Sequence, residues 1–542
     1  MASLPSDDDT LPSLSSLLSA LKRSTLSIHN RLTSIHSDAQ FVLRAASSPS
    51  LRGRASKPRP LVANQRCGSW YVPPGKTPQR ACAYFKSTDG HERAWKCSTR
   101  RLNMHLVDMI EEHDGIIIVD STRRGKRMPD ALSTTIPIWC TVLNNLLLPS
   151  HPLSSQLFLP PHLMASTHAQ IMALIPGFVQ ALRDLKLEAL PVLTKPLRPF
   201  WVTQESSLLP PEDDVCSLCC SSHWPLSSCS CSCSDPTSSS PFASSSSPSP
   251  SPSPSPSPSS SNVDDTKNSP QQKEQKQAQE QEQQQQEEEE QQQEQGTIFQ
   301  DYHPIICLTA SRRILTSEID SQGYIQGAAD DTENWAHGLT PDLFWAHSET
   351  LLSTPDAQLP ELIASLLKQD KLERADQKSV DFLVRLTPVV SVCALPLGAP
   401  GKTDGDVCHV LLVEGVTSKH TWVRAPNYME VGLGKHKTAS RNLRLALPEI
   451  CAFVRAFLER GQDRQVVVAC ESGRDTSVGT ALALSCYLFD EQGQFHVPDA
   501  RLCFTKGQVK VKLASIMTAY PAGNPSRQTL QSVNSFLMDW TK

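Results

Sequence analysis

Apolar positions along this chain follow two different repeats, and a long stretch in the middle follows neither. Between residues 22 and 46, Leu26, Ile28, Leu32, Ile35, Ala39 and Val42 recur at helical spacing, which predicts one or two helices. "DGIIIVDST" (Asp114–Thr122) is a short β-branched run ending in polar residues. That pattern suits a buried strand whose carboxyl end carries function. Residues 60–145 around it read as a compact α/β unit. The same alternation returns late in the chain, with a strand at "VCHVLLVEG" and a helix near "LALPEICAFVRAFLERG". "VVVACESGRDTSVGTALALSCYLF" (Val466–Phe489) then reads as strand, glycine-containing loop and helix. In the last helix Asn524 is the expected N-cap, Pro525 the first helical residue, and Leu530, Val533 and Leu537 the apolar stripe.

The middle breaks this order. "SPSPSPSPSPSS" is followed by a Gln/Glu tract to Gln295, and neither buries enough apolar surface to offset chain entropy. The expected organisation is a frayed tail at 1–20 and an N-terminal α/β domain in two parts, 21–233 and 297–404. A disordered insertion at 234–296 separates those parts, and a second α/β domain covers 405–542. Just ahead of the insertion, Cys216 and Cys219 have a C-x2-C spacing with His223 near. Zinc sites usually show a second, well-separated pair, and here the rest is a Ser/Cys alternation running to Cys233, which argues against a zinc site more than for one.

Charge changes the picture more than composition does. The net charge of −5 is misleading, because residues 235–295 hold 11 acids and 3 lysines, leaving the rest of the chain at +3. Residues 22–127 carry 20 Lys+Arg against 8 Asp+Glu, a balance suited to a polyanionic partner or to a solvated surface. No apolar run approaches the roughly 18–20 residues of a membrane span, so no membrane partner is expected. "MASLPSDDDT" lacks the layout of a secretory signal. Most of the 17 cysteines stand singly in apolar segments, the habit of reduced thiols in cytosol or nucleus.

Two loops carry the candidate chemistry. Cys470, Gly473 and Ser477 fall where a Cys-x5-Arg-Ser/Thr phosphatase loop wants them, but Thr476 replaces the arginine and Arg474 is two residues early. A displaced guanidinium cannot make the same two-oxygen fork. A backbone cradle survives that loss, so the loop (Cys470, Gly473, Arg474, Asp475, Thr476, Ser477, Gly479) favours holding phosphate over cleaving it. An ordinary strand-to-helix turn around a buried cysteine is the plainer alternative. After "IIIVDST", Arg123, Arg124, Lys126 and Arg127 surround Gly125 directly behind Asp120. Four cations in five residues repel one another, so such a loop faces anions unless it is only a solvated turn. Asp120 is placed to hold sugar hydroxyls or magnesium. "YIQGAADDTENW" offers Asp330 and Asp331 as metal ligands, proton acceptors or helix caps. Arg66, in "NQRCGSWYV", and Lys86, Asp89 and His91, in "YFKSTDGHERAW", are further recognition candidates.

"LVANQRCGSWYV", "YFKSTDGH", "IIIVDSTRRGKRMPDALSTTIPIWC", "YIQGAADDTENWAHGLTPDLFW" and "CESGRDTSVGTALAL" together resemble the initiator tRNA phosphoribosyltransferases of fungi and plants. The resemblance covers about 22–205 and 297–542. It implies a family-specific N-terminal α/β domain followed by a C-terminal α/β domain similar to dual-specificity phosphatases. It also implies transfer of 5-phosphoribosyl from 5-phosphoribosyl 1-pyrophosphate to the 2′-hydroxyl of adenosine 64 of cytoplasmic initiator methionine tRNA, which keeps that tRNA out of elongation. "VDSTRRG" has only one acid where other phosphoribosyltransferases carry two, so their donor site does not transfer to this chain. On this reading Arg123, Arg124, Lys126 and Arg127 clamp the leaving pyrophosphate, with magnesium. Asp120 holds sugar or metal, Asp330 or Asp331 is the base, and Arg66, Lys86, Asp89 and His91 touch tRNA or donor. The rivals are an active phosphatase and a phosphatase-like tRNA adaptor without catalysis.

Overall fold

The computed structural model describes residues 26–206 and 299–539, except 55–56, 66, 76–80, 87–93, 188–189, 316–319, 321, 377–382, 398–404, 462 and 499–503. The expected tail at 1–20, the insertion at 234–296 and the Cys216–Cys233 cluster lie outside the described residues, as do Arg66, Asp89 and His91.

Ile116–Asp120 (β3) is buried at every position, because both faces of its sheet are covered. It sits at the centre of a five-stranded sheet, between Leu61–Asn64 (β1) and His303–Thr309 (β5). Ala81–Ala83 (β2) flanks β1, and Leu197–Val202 (β4) flanks β5, giving the order β2-β1-β3-β5-β4. Every pairing is parallel. The chain runs from β1 out to β2 on one side, then crosses through helix α2 (His105–His113) to β3 on the other. That reversal opens a crevice outside the carboxyl ends of β1 and β3, where ligands of open α/β sheets bind. Helices α3 (Ile136–Leu147) and α4 (Ala165–Arg183) join β3 to β4, and Leu132, Val142, Ile171 and Ile175 pack on the sheet. Helix α1 (Ile28–Ser47) is one continuous helix, capped by Ser27 Oγ accepting from Asn30 N–H. Its buried face (Leu32, Ile35, Ala39, Val42) is the face expected from the sequence.

The second sheet has the order β6-β7-β11-β8-β10-β9. Its four inner strands, Val390–Ala394 (β7), Gln465–Cys470 (β11), Val407–Val413 (β8) and Tyr428–Gly432 (β10), are parallel. Val384–Arg385 (β6) and Val423–Ala425 (β9) are antiparallel edges. After α5 (Leu359–Asp376), helices α6 (His436–Leu458), α7 (Thr476–Tyr487), α8 (Lys506–Ala519) and α9 (Arg527–Asp539) build this half. Ile450, Val454, Leu482 and Val533 close one core with Val466 and Val468. Both halves are therefore α/β, as expected. Helix α9 starts later than the sequence suggests: Ser526 Oγ accepts from Thr529 N–H, so Ser526 is the cap rather than Asn524. Asn524 is instead held by tertiary bonds, its N–H donating to Arg474 O at 2.7 Å and its Oδ1 accepting from Arg101 Nη2 at 2.5 Å. Ala514 of α8 is buried in the core of the first sheet, so the two halves share packed surface.

Candidate active site and phosphate-like loop

Asp120 ends β3 with its carboxylate almost completely buried, at 1 % exposure. Among the described residues three donors reach it. Asn64 Nδ2, at the end of β1, donates to Oδ2 at 2.7 Å; Cys67 Sγ donates to Oδ1 at 3.0 Å; and Ser121 N–H donates to Oδ1 at 2.8 Å. Asn64 is itself fixed by Phe85, accepting from its N–H and donating to its carbonyl. The crevice between β1 and β3 thus holds a carboxylate fixed at both oxygens. Burial, followed by the charges of Asp120 and Asp330, pushes the Cys67 thiol well above its ordinary value, so the sulfur stays protonated as a donor.

The cationic loop is anchored to the neighbouring strand. Thr122 N–H donates to Ser311 Oγ, and that hydroxyl donates back to Thr122 O. Ala310 N–H donates to Asp120 O, and Arg313 Nε donates to Gly125 O at 2.8 Å. The buried Gln326 accepts from Gly125 and Ile314 N–H and donates to Lys126 O. Arg124 takes a left-handed backbone (φ 58°), which turns the loop sharply. Gly327 is needed where it stands: its φ is +68°, and an added Cβ would lie 2.7 Å from Thr122 O.

This anchoring gathers the expected residues into one place. Arg123 bridges Asp330 through Nε at 3.4 Å and Asp331 through Nη1. Arg124, Lys126 and Arg127 are exposed; Lys126 pairs with Asp130 at 3.5 Å and Arg127 with Glu205 at 3.1 Å. Asp331 occupies the N-cap position of the short helix Thr332–Trp335 without a side-chain cap bond. Lys86 is exposed, and its carbonyl accepts from Thr135 Oγ1. Partial burial, then the charges of Arg127 and Arg313, lower the His162 pKa.

Several of these groups escape a reading of the sequence. Arg313 follows β5 more than 180 residues after the basic loop yet donates to Gly125 O within it. Asn64 looks like an ordinary strand-end residue. Asp38 reads as a polar break in an amphipathic helix. In the structure Asp38 is wholly buried, accepting from Tyr324 Oη at 2.9 Å and Gln204 Nε2 at 3.0 Å. Tyr324 Oη in turn accepts from Arg312 N–H at 2.7 Å. One carboxyl thus joins α1 to the loops after β4 and β5. Burial raises its pKa well above the ordinary carboxyl range, against the opposing bonds from Tyr324 and Gln204. A raised folded-state pKa means stability present at low pH and lost as pH climbs through that value. Asp38→Asn, which mimics the protonated acid, is expected to exceed the wild-type Tm by a margin that widens as pH rises from about 4 toward 8. A constant Tm difference across that range would contradict a buried, protonated Asp38.

In the second half, Cys470 lies at the end of β11 with its sulfur 3.1 Å from Ser477 Oγ. Burial raises the thiol pKa, but the hydroxyls of Ser477 and Thr476 and the N–H groups of Ser477 and Asp475 outweigh it, so the net shift is downward. Gly473 has φ +65° and its Cα approaches Ala394 N so closely that a Cβ would lie 2.6 Å away. Arg474 is exposed and contributes its carbonyl to Asn524. Asp475 Oδ1 accepts from Ser526 N–H and Thr529 Oγ1, which fixes the loop to the start of α9. Gly479 is buried against Thr529. The strand-to-helix turn is kept around Cys470, and Thr476 stands where a hydrolytic loop has its arginine.

Family models match both halves: the model described as Rit1 N-terminal domain covers residues 21–248 and 260–368, and the Rit1 DUSP-like domain covers 427–537. A tRNA A64-2′-O-ribosylphosphate transferase of Saccharomyces cerevisiae is 30% identical across 98% of this chain and 96% of its own. An uncharacterized protein of Schizosaccharomyces pombe is also 30% identical, across 94% of each. Among solved structures, human DUSP28 (16% identity, TM-score 0.20) covers 29% of this chain and 92% of its own. A mouse putative dual specificity phosphatase complexed with zinc tungstate (16% identity, TM-score 0.20) covers 29% of this chain and 86% of its own. The chain belongs to the Rit1 family, with an α/β N-terminal domain of that family and a dual-specificity-phosphatase-like C-terminal domain.

Proposed function

We propose that the chain transfers 5-phosphoribosyl from 5-phosphoribosyl 1-pyrophosphate to the 2′-hydroxyl of adenosine 64 in cytoplasmic initiator methionine tRNA. That it is an enzyme, a pentosyltransferase, follows from the family and the near full-length relative. The observation that carries the finer reading is the fixed Asp120 carboxylate at the β1/β3 crevice, with a pinned cationic loop directly behind it.

In the reaction the 2′-oxygen attacks the anomeric carbon, the bond from that carbon to pyrophosphate breaks, and pyrophosphate leaves with the electron pair. Positive charge builds on the sugar, which Asp120 is placed to stabilise. Arg124, Lys126 and Arg127, joined by Arg313, receive the leaving group. Asp330 or Asp331, oriented by Arg123, accepts the hydroxyl proton. Magnesium does not find a protein cage here: among the described residues no three His, Cys, Asp or Glu converge, and both Asp120 oxygens already accept from protein donors. An ion would travel with the donor's phosphates, and no step above runs through a protein-held metal. The Cys470 loop grips a 5′-phosphate or a tRNA phosphate by backbone N–H groups.

The deciding experiment incubates the purified chain with initiator tRNA, magnesium and radiolabelled donor, then maps the modified nucleotide. Label on a residue other than adenosine 64, or none, would overturn the assignment. A phosphatase reading is tested in the same tube with an aryl phosphate, which should stay intact. Cys470→Ser is expected to reduce transfer by less than about tenfold, because the cradle relies on the backbone rather than the sulfur. A dead but folded Cys470→Ser enzyme would give the thiol a covalent role.

A further inference from the structure

The seam between the two halves carries a second cationic surface, away from the Asp120 crevice. Helices α8 and α9 and the segment before α2 enclose a groove of about 490 Å³ lined by Arg100, Lys506 and Arg527, with Gln531 and Asn534. It continues into a smaller cavity of about 190 Å³ that adds Lys510. Among the described residues no Asp or Glu lines either space. Among the described residues none of the four cations reaches a carboxylate at ion-pair distance. Like charges held side by side without counter-charge are costly unless an anion sits between them. Lys506 and Lys510 are four residues apart on α8, so they share one face of that helix.

The groove is built into the junction. Arg101, next to Arg100, donates to Asn524 Oδ1 and lies 4.4 Å over the Tyr84 ring. Asn524 N–H donates to Arg474 O in the Cys470 loop. One chain of contacts therefore joins the first domain, the start of α9 and the phosphate-like loop.

We propose that this groove seats the sugar-phosphate backbone of the RNA substrate, an inference that rests on reading the chain as a tRNA-modifying enzyme. Backbone phosphates supply charge at regular spacing for the four cations, and the amides of Gln531 and Asn534 suit phosphate oxygens and 2′-hydroxyls. Such contacts position RNA without reading its sequence, leaving selection of the nucleotide to the Asp120 crevice.

The test compares wild type with the variant Arg100→Ala, Lys506→Ala, Lys510→Ala, Arg527→Ala. Fluorescently labelled tRNA is titrated at several salt concentrations, with circular dichroism to confirm folding and a transfer assay run in parallel. Each lost phosphate contact is expected to flatten the log–log salt slope by about 0.9, so the variant should lose about three to four units of slope. KM for tRNA should rise while Kd for the phosphoribosyl donor, measured without RNA, stays constant. An unchanged slope overturns the groove as the RNA seat. So does a variant that keeps its tRNA slope but loses affinity for inorganic pyrophosphate or an acidic peptide, which would mark a different occupant. A wild type that binds tRNA through these cations yet transfers no label would uphold the groove and sink the transferase reading.

Discussion

Replacing Asp120 by asparagine is expected to lower ribosyl-phosphate transfer by about 10²–10³-fold, the usual cost of removing one fixed charge-stabilising group. Two effects are superimposed, and they separate. The first is chemical: an amide offers no negative charge to an anomeric carbon that is becoming cationic. The second is structural. Asn64 presents Nδ2 to Asp120 Oδ2, and its own orientation is locked by Phe85. With Cys67 and Ser121 both donating to the Oδ1 side, an asparagine at 120 must aim its NH₂ at the NH₂ of Asn64. Two buried donors then face one another, at a cost of roughly 1–3 kcal/mol. Melting curves should show that loss as a fall of roughly 3–10 °C. Asn64→Ala is the control, since it removes the donor but keeps the charge. It should destabilise comparably while reducing transfer per folded molecule by less than about tenfold. Equal losses of activity in both variants would make Asp120 a structural residue only.

What the sequence made legible follows from what periodicity and local charge can encode. The buried run before Asp120, the cationic loop behind it and the altered Cys470 loop are each contiguous, and each stands where expected. The strand at Val407–Val413, the strand–loop–helix after it and the apolar stripe of the last helix are legible for the same reason. Contacts made by topology are not legible. Arg313 reaches the basic loop only because β5 inserts between β3 and β4. Asp38 sits on the face of α1 that Tyr324 and Gln204 cover, two residues that arrive from opposite sides of the Ser/Pro/Gln segment. The misplaced cap of α9 has a similar cause. Asn524 had the right chemistry for a cap, but its side chain is engaged by Arg101 from the other domain, and the next hydroxyl along, Ser526, takes the helix start.

The double replacement Arg123→Ala with Arg124→Ala is expected to cut transfer by about 10³-fold or more, with the loss shared between donor affinity and turnover. Arg123 is half-buried, and its guanidinium spans two carboxylates, Nε toward Asp330 and Nη1 toward Asp331. Removing it leaves the Asp330 carboxylate, whose side chain is 14 % exposed, without that cation. Repulsion then works against any base near an anionic donor. Arg124 acts differently. It is exposed on the left-handed turn of the loop, where its charge can meet the leaving pyrophosphate. The single variants should therefore differ in kind. Arg124→Ala should weaken pyrophosphate binding in a salt-sensitive way with little change in Tm. Arg123→Ala should lower kcat and Tm together. Arg123→Lys should rescue little, because one ammonium cannot occupy both the Nε and Nη1 positions of the fork. Pyrophosphate inhibition constants and single-turnover rates with labelled donor read the two effects apart. Normal turnover by the double variant would remove the cation clamp from the mechanism and leave Asp120 to be explained without it.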